Sequence, residues 1–218
     1  MKLLTTKNPK ILKSIKRGYL TWGMHLLPGR VCARASKGCL ASCLNTAGHG
    51  AYRNTQEARA RKTKFFWEHP EAFLSLLKEE MWKAIKHSKK KGLEPVFRLN
   101  LTSDIPWEVY GIPQEFPDIQ MMDYSKYHDR HPPDNYHLTF SRSESLQNHI
   151  DAKKWLARGG NVAVVFKGET PNKFWGHQVV SGDEDDLRFL DPQPCIVGLS
   201  AKGRAKSDTT GFVVRRVA

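Results

Sequence analysis

Three cysteines fall within twelve residues, as Cys32-x6-Cys39-x3-Cys43. Clustering of this kind in an intracellular chain points to metal or redox chemistry and not to a disulfide. Three thiolates hold a zinc ion when a fourth ligand joins them, and His49 is near enough in sequence to do so. Three thiolates also hold a 4Fe–4S cluster, with one iron left open to substrate. Arg30, Arg34 and Lys37 flank the group and favour the thiolate state. The competing reading is three small buried hydrophobes in a tight loop. Cys195 opens an apolar run and reads as a packing residue.

A second group is carboxylates and cations placed where apolar runs stop. Arg98-Leu-Asn-Leu-Thr-Ser-Asp-Ile-Pro runs from a strand into polar residues and an Ile-Pro break. Arg98, Asn100, Thr102, Ser103 and Asp104 are thus candidates for a pocket floor and rim, while Asp104 could equally cap its own turn before Pro106. Asp123 and Lys126 follow Ile119–Met122, and Arg142 follows Leu138–Phe140. Lys167, Asp183 and Lys202 close later runs. Recurrence at successive strand ends suggests one shared polar mouth. Asp104, Asp123 and Asp183 would suit proton transfer or nucleophilic attack. Asn100, Ser103, Lys126, Arg142, Lys167 and Lys202 would bind the substrate or cofactor, the four cations through its phosphates.

These residues require elements to carry them. Gly18–Leu27, Val96–Leu101, Ile119–Tyr124, Tyr136–Phe140, Asn161–Phe166, His177–Val180 and Cys195–Leu199 read as strands. Residues 54–67, with Asn54 as N-cap, residues 71–91 and residues 144–158 read as helices. In the second, Phe73, Leu76, Leu77, Trp82 and Ile85 form the apolar stripe. This alternation predicts an α/β domain over residues 18–218, with a mainly parallel sheet, flanking helices and a degenerate or partial (β/α) barrel. Residues 1–17 read as a basic arm, with a possible turn around Ile11, Leu12 and Ile15. Residues 30–52 read as the cysteine loop.

The chain has 218 residues and a net charge of +13. Residues 1–100 hold 21 Lys/Arg and 6 Asp/Glu, giving +15, and the remainder holds 14 and 16, giving −2. No Asp precedes Asp104. Such a division suits a basic face for nucleic acid, DNA foremost, beside an acidic half that carries chemistry. No apolar run is long enough to span a membrane. The N-terminal stretch lacks an apolar signal core, so a cytoplasmic protein is expected.

Several motifs resemble a bacteriophage gene product family. They are Cys39-x3-Cys43-Leu-Asn-Thr-Ala-Gly-His-Gly, Ala58-Arg-x-Arg-Lys-Thr63, Arg98-Leu-Asn-x-Thr-Ser-Asp-Ile-Pro-Trp and Gly182-Asp-Glu-x-Asp-Leu-Arg-Phe-Leu-Asp-Pro. The resemblance covers about residues 18–215. More distantly, the cysteine triad after the first strand is similar to that of radical SAM barrels. That likeness implies a 4Fe–4S cluster on Cys32, Cys39 and Cys43, with S-adenosylmethionine as a further ligand. Thr102-Ser-Asp104 resembles a strand-end motif of the tRNA-guanine transglycosylases and their DNA-modifying phage relatives. That likeness implies base exchange, with strand-end aspartates attacking the sugar and reading the base. A non-catalytic protein that binds nucleic acid or a host protein, stapled by a structural metal, is the third reading.

Overall fold

Short runs of branched and aromatic residues become strands, and the periodic stretches between them become helices. The computed structural model describes residues 1–7 and 12–215. Its strands are β1 (Leu4–Thr5), β2 (Tyr19–Met24), β3 (Glu94–Arg98), β4 (Gln120–Ser125), β5 (Tyr136–Ser141), β6 (Val162–Lys167), β7 (Lys173–Phe174), β8 (His177–Ser181), β9 (Ile196–Ser200) and β10 (Val214–Arg215). Its helices are α1 (Lys37–Ala41), α2 (Arg53–Glu68), α3 (Pro70–Lys90), α4 (Ile112–Glu115) and α5 (Leu146–Ala157).

The strands form one sheet in the order β1-β2-β3-β4-β5-β6-β9-β8-β7, with β10 beside β6. All pairs from β2 through β9 to β8 are parallel. The edge strands β1 and β7 pair antiparallel. The protein is therefore α/β, with a mostly parallel mixed sheet flanked by helices and not closed on itself.

Both faces of the sheet are covered, which explains the nearly continuous apolar strands. On one face Phe97, Met121, Tyr136 and Leu138 pack with Phe66 of α2 and with Phe73, Leu77 and Met81 of α3. Further along, Phe140, Val162, Val164 and Ile196 pack on Ala152 and Leu156 of α5. Full burial of each large apolar side chain contributes roughly 1.5–3 kcal/mol.

The other face is lined by Val96 and Met122. Residues 182–191 cross it as a strap. Leu187 packs on Val96 and Met122, and the Phe189 ring meets Tyr19 edge-on. Ion pairs fasten the strap at both sides: Arg17 to Asp185 at 2.9 Å and Arg98 to Asp186 at 2.6 Å. Arg188, 3% exposed, binds Asp185 and Asp191 within the strap itself.

Three expectations change. Helix α2 starts at Arg53 after Tyr52, whose side chain makes no cap, so Asn54 lies inside the helix. The α3 stripe runs through Met81 and Ala84, while Trp82 is half exposed and rests on the Phe116 ring. Within the segment expected as a basic arm, Leu3 and Leu4 are buried and β1 extends the sheet. Glu80 accepts from the backbone N–H of both leucines. Ile11 lies outside the described residues.

Two measurements probe this architecture. Arg98→Met strands Asp186 in the core without its guanidinium and should cost about 3–5 kcal/mol in urea unfolding. A companion Asp186→Leu change should recover much of that loss; an additive double variant would contradict the pairing. Burial, aided by Arg188, pushes His137 down to about 4. The unfolded chain takes up this proton near pH 6.5 while the folded chain refuses it. The stability from neutral His137 is thus present above pH 6.5 and lost as pH falls towards 4. His137→Gln should flatten the urea midpoint over that window.

Candidate functional site

Because β2, β3, β4, β5, β6, β9 and β8 run the same way, their following loops gather along one edge. The cysteine loop follows β2. Cys32 donates its thiol proton to the Thr102 carbonyl at 3.8 Å, tying the loop after β2 to the loop after β3. Cys39 sits in α1, whose N-cap Ser36 accepts from the Cys39 N–H. The same Ser36 hydroxyl donates to Glu144 at 2.6 Å, and Gly38 N–H donates to Glu144 at 2.8 Å. A Cβ on Gly38 would lie 2.2 Å from Thr210 Oγ1, so only glycine allows this docking. Cys43 caps the next turn and accepts from Asn45 N–H.

All three thiols are free and partly buried. Burial pushes Cys32 up to about 11, and Asp104, Cys43 and Cys39 add to the rise. Burial also raises Cys43; Cys39 adds, while Arg59 and Lys126 oppose it. The three sulfurs therefore lie in one another's field. Among the described residues, no three His, Cys, Asp or Glu side chains converge closely enough to hold a metal ion. His49 is exposed, with its ring 5.1 Å from that of Tyr52. Cys195 is buried at the start of β9, as expected of a packing residue.

Two residues missed by sequence reasoning stand beside the thiols. Arg59 of α2 is 7% exposed. Its NH1 donates to Asn45 Oδ1, and its Nε has no hydrogen-bond partner among the described residues. Burial lowers its pKa, and Cys43 alone counters that effect. No Asp or Glu balances this guanidinium among the described residues. The second is His25, just past β2. The Thr102 hydroxyl donates to the Leu26 carbonyl at 2.6 Å, so its oxygen accepts from His25 Nδ1 at 3.3 Å. The proton thus sits on Nδ1, leaving a lone pair on Nε2. Burial pushes His25 down to about 3, with help from Arg59, Arg98 and Lys62.

The expected carboxylates lie apart in role. Asp123 is 2% exposed and points to the helix-covered face with Tyr136. It accepts from Asn100 N–H, from the Asn100 side chain and from the Tyr136 hydroxyl. Burial still pushes it up to about 7. Asp104 accepts from Lys126 N–H at 2.8 Å and lies 3.7 Å from Arg130. Burial raises its pKa as well. Asp183, after β8, accepts from Ser200 N–H and from Lys202 Nζ at 2.6 Å.

The expected binding residues divide in the same way. Asn100 accepts from the Ser103 hydroxyl and Ile105 N–H while donating to the Ile105 carbonyl, so both Asn100 and Ser103 pin the loop. Arg142 donates to the Gly211 and Phe212 carbonyls. Lys167 is exposed at the end of β6. Lys126 reaches Ser141 at 2.8 Å, and its charge opposes the rise of the Cys43 thiol.

A family model described as Gene product 88 matches residues 2–216. The chain therefore belongs to the gene product 88 family. No curated protein and no solved structure matches it, so no relative stands behind the likeness to radical SAM barrels or to transglycosylases. No described helix is long and apolar enough to cross a membrane.

Asn100 serves Asp123, Ser103 and the Ile105 backbone at once. Asn100→Ala should therefore cost about 1–3 kcal/mol in thermal or urea unfolding, because buried partners lose their hydrogen bonds. An unchanged melting curve would mean that the loop after β3 does not depend on this side chain.

Proposed function

We propose that this member of the gene product 88 family is a phage-type enzyme acting on nucleic acid, with an iron–sulfur centre held by Cys32, Cys39 and Cys43. The observation that carries this reading is Arg59. A buried guanidinium without a carboxylate carries a desolvation cost of several kcal/mol. Neutral thiols leave that charge unbalanced; three thiolates around a cluster would balance it.

The donor types suit a three-thiolate group, but the three sulfurs do not converge on one point and would have to move together to hold it. Cys39 and Cys43 both raise the Cys32 thiol, and cluster binding would require the cysteine loop to draw the three together. His49 is exposed beside Tyr52, which favours three protein ligands over a Cys3His zinc site. A 4Fe–4S cluster so held supplies electron transfer and one open iron position, where S-adenosylmethionine is the natural candidate ligand. The chain's own residues supply the rest. Arg59 and Lys126 favour the thiolate of Cys43. Thr102 fixes the His25 tautomer, leaving Nε2 as an acceptor.

Base exchange through Asp104, Asp123 and Asp183 has weaker support. Asp123 faces the helices, and Asp104 is occupied by Lys126 N–H. Host-protein binding around a structural metal has no feature of its own to support it.

Anaerobic purification should give a brown protein with about four irons per chain. Cys32→Ser, Cys39→Ser and Cys43→Ser should each lose most of the iron, and Arg59→Met should lower cluster retention. A colourless, iron-free preparation overturns the reading, and one zinc per chain points to the structural site instead.

A further inference from the structure

We propose that the rim of this mouth docks single-stranded nucleic acid between two cationic loops drawn from opposite ends of the chain. The choice of polyanion rests on the reading above; the surface itself rests on separate observations. One side of the rim is the cysteine loop. No Asp or Glu precedes Glu57 in the sequence, so this loop carries no negative side chain. Its Arg34 and Lys37 are exposed. The other side is the turn after β9, where Lys202, Arg204 and Lys206 are exposed.

The two loops meet. A Cβ on Gly203 would lie 2.7 Å from the Ala47 side chain, and Cys39 packs against Ala205 and Phe212. The positive charges are thereby brought onto one surface. The nearby acids are engaged: Glu144 holds Ser36 and Gly38, and Asp208 accepts from Thr210, Gly211 and Val213. Lys202 pairs with Asp183. Arg34, Lys37, Arg204 and Lys206 enter no ion pair among the described residues.

Aromatic faces accompany the charges. Tyr52 is 57% exposed, and the His49 ring lies beside it. Arg34 lies 5.3 Å over the Tyr127 ring. Cations that follow a backbone, beside rings on which bases stack, suit a single strand. A duplex keeps its bases stacked and hidden, and a base must leave the stack to reach a recessed site. A second cationic patch provides the contrast. Lys86, Lys89 and Lys90 are exposed at the end of α3, which leads into the start of β3 and so lies at the opposite edge of the sheet.

The test is fluorescence anisotropy of the full chain with labelled oligothymidine and with a duplex of equal length. The single strand should bind more tightly, with an affinity that falls steeply with salt. The charge reversals R34E/K37E and R204E/K206E should each weaken it on the order of tenfold. Tyr52→Ala should weaken it about fivefold or more. K86E/K89E/K90E should change it less than about twofold. A preference for duplex, no salt-sensitive binding, or equal loss from the α3 reversal overturns the proposal. Iron content measured on the same preparations separates the two ideas. An iron-free protein that still binds through the rim removes the cluster alone; an iron-replete protein whose binding ignores the rim variants removes the docking surface alone.

Discussion

Hydrogen bonds between parallel strands slant the same way, so each new strand must be reached by a crossover that returns the chain to the starting edge. Here β2, β3, β4, β5, β6, β9 and β8 obey that rule. Their amino ends and carboxyl ends are consequently sorted to opposite edges, whatever residues the loops contain. Helices α2, α3 and α5 perform crossovers and cover one face. The strap of residues 182–191 covers the other with Leu187, Phe189 and a set of buried ion pairs. The loops at the carboxyl edge are then placed to build a mouth, and the cysteine loop is the first of them.

Within that mouth, electrostatics sets the chemistry. Burial alone makes Cys32 and Cys43 poor thiolates. The same burial leaves Arg59 as a cation with no carboxylate. Each condition is costly alone, and a thiolate-bound centre would relieve both. By contrast, Arg130 has a bidentate partner in Glu108, and Arg98 has Asp186. Arg59 thus differs from these two and resembles Arg142, which is also buried and enters no ion pair among the described residues but is held by the Gly211 and Phe212 carbonyls.

The longer elements were legible because period and breakers agree: branched runs of five or six residues, and helices stopped at Gly92 and at Gly159. The two-residue strands β1, β7 and β10 are below what any pattern can register. The face of Asp123 was not legible either. Met121 and Met122 are both buried, so apolar alternation in β4 gives no direction. Arg59 reads in sequence as one more cation of a basic helix. Its importance lies in what is missing around it, which only the fold reveals. The cysteine spacing was plain, and so was the excess of positive charge. That residues 202–206 join the cysteine loop depends on a contact between Ala47 and Gly203, far apart in the chain.

Iron-edge X-ray absorption on the anaerobically purified chain measures the proposed centre most directly. The prediction is a first shell dominated by sulfur with an iron–iron vector, both lost when Cys43 is replaced by serine. A first shell of nitrogen and oxygen, or an iron signal indifferent to Cys43, would contradict a cluster held by the cysteine loop.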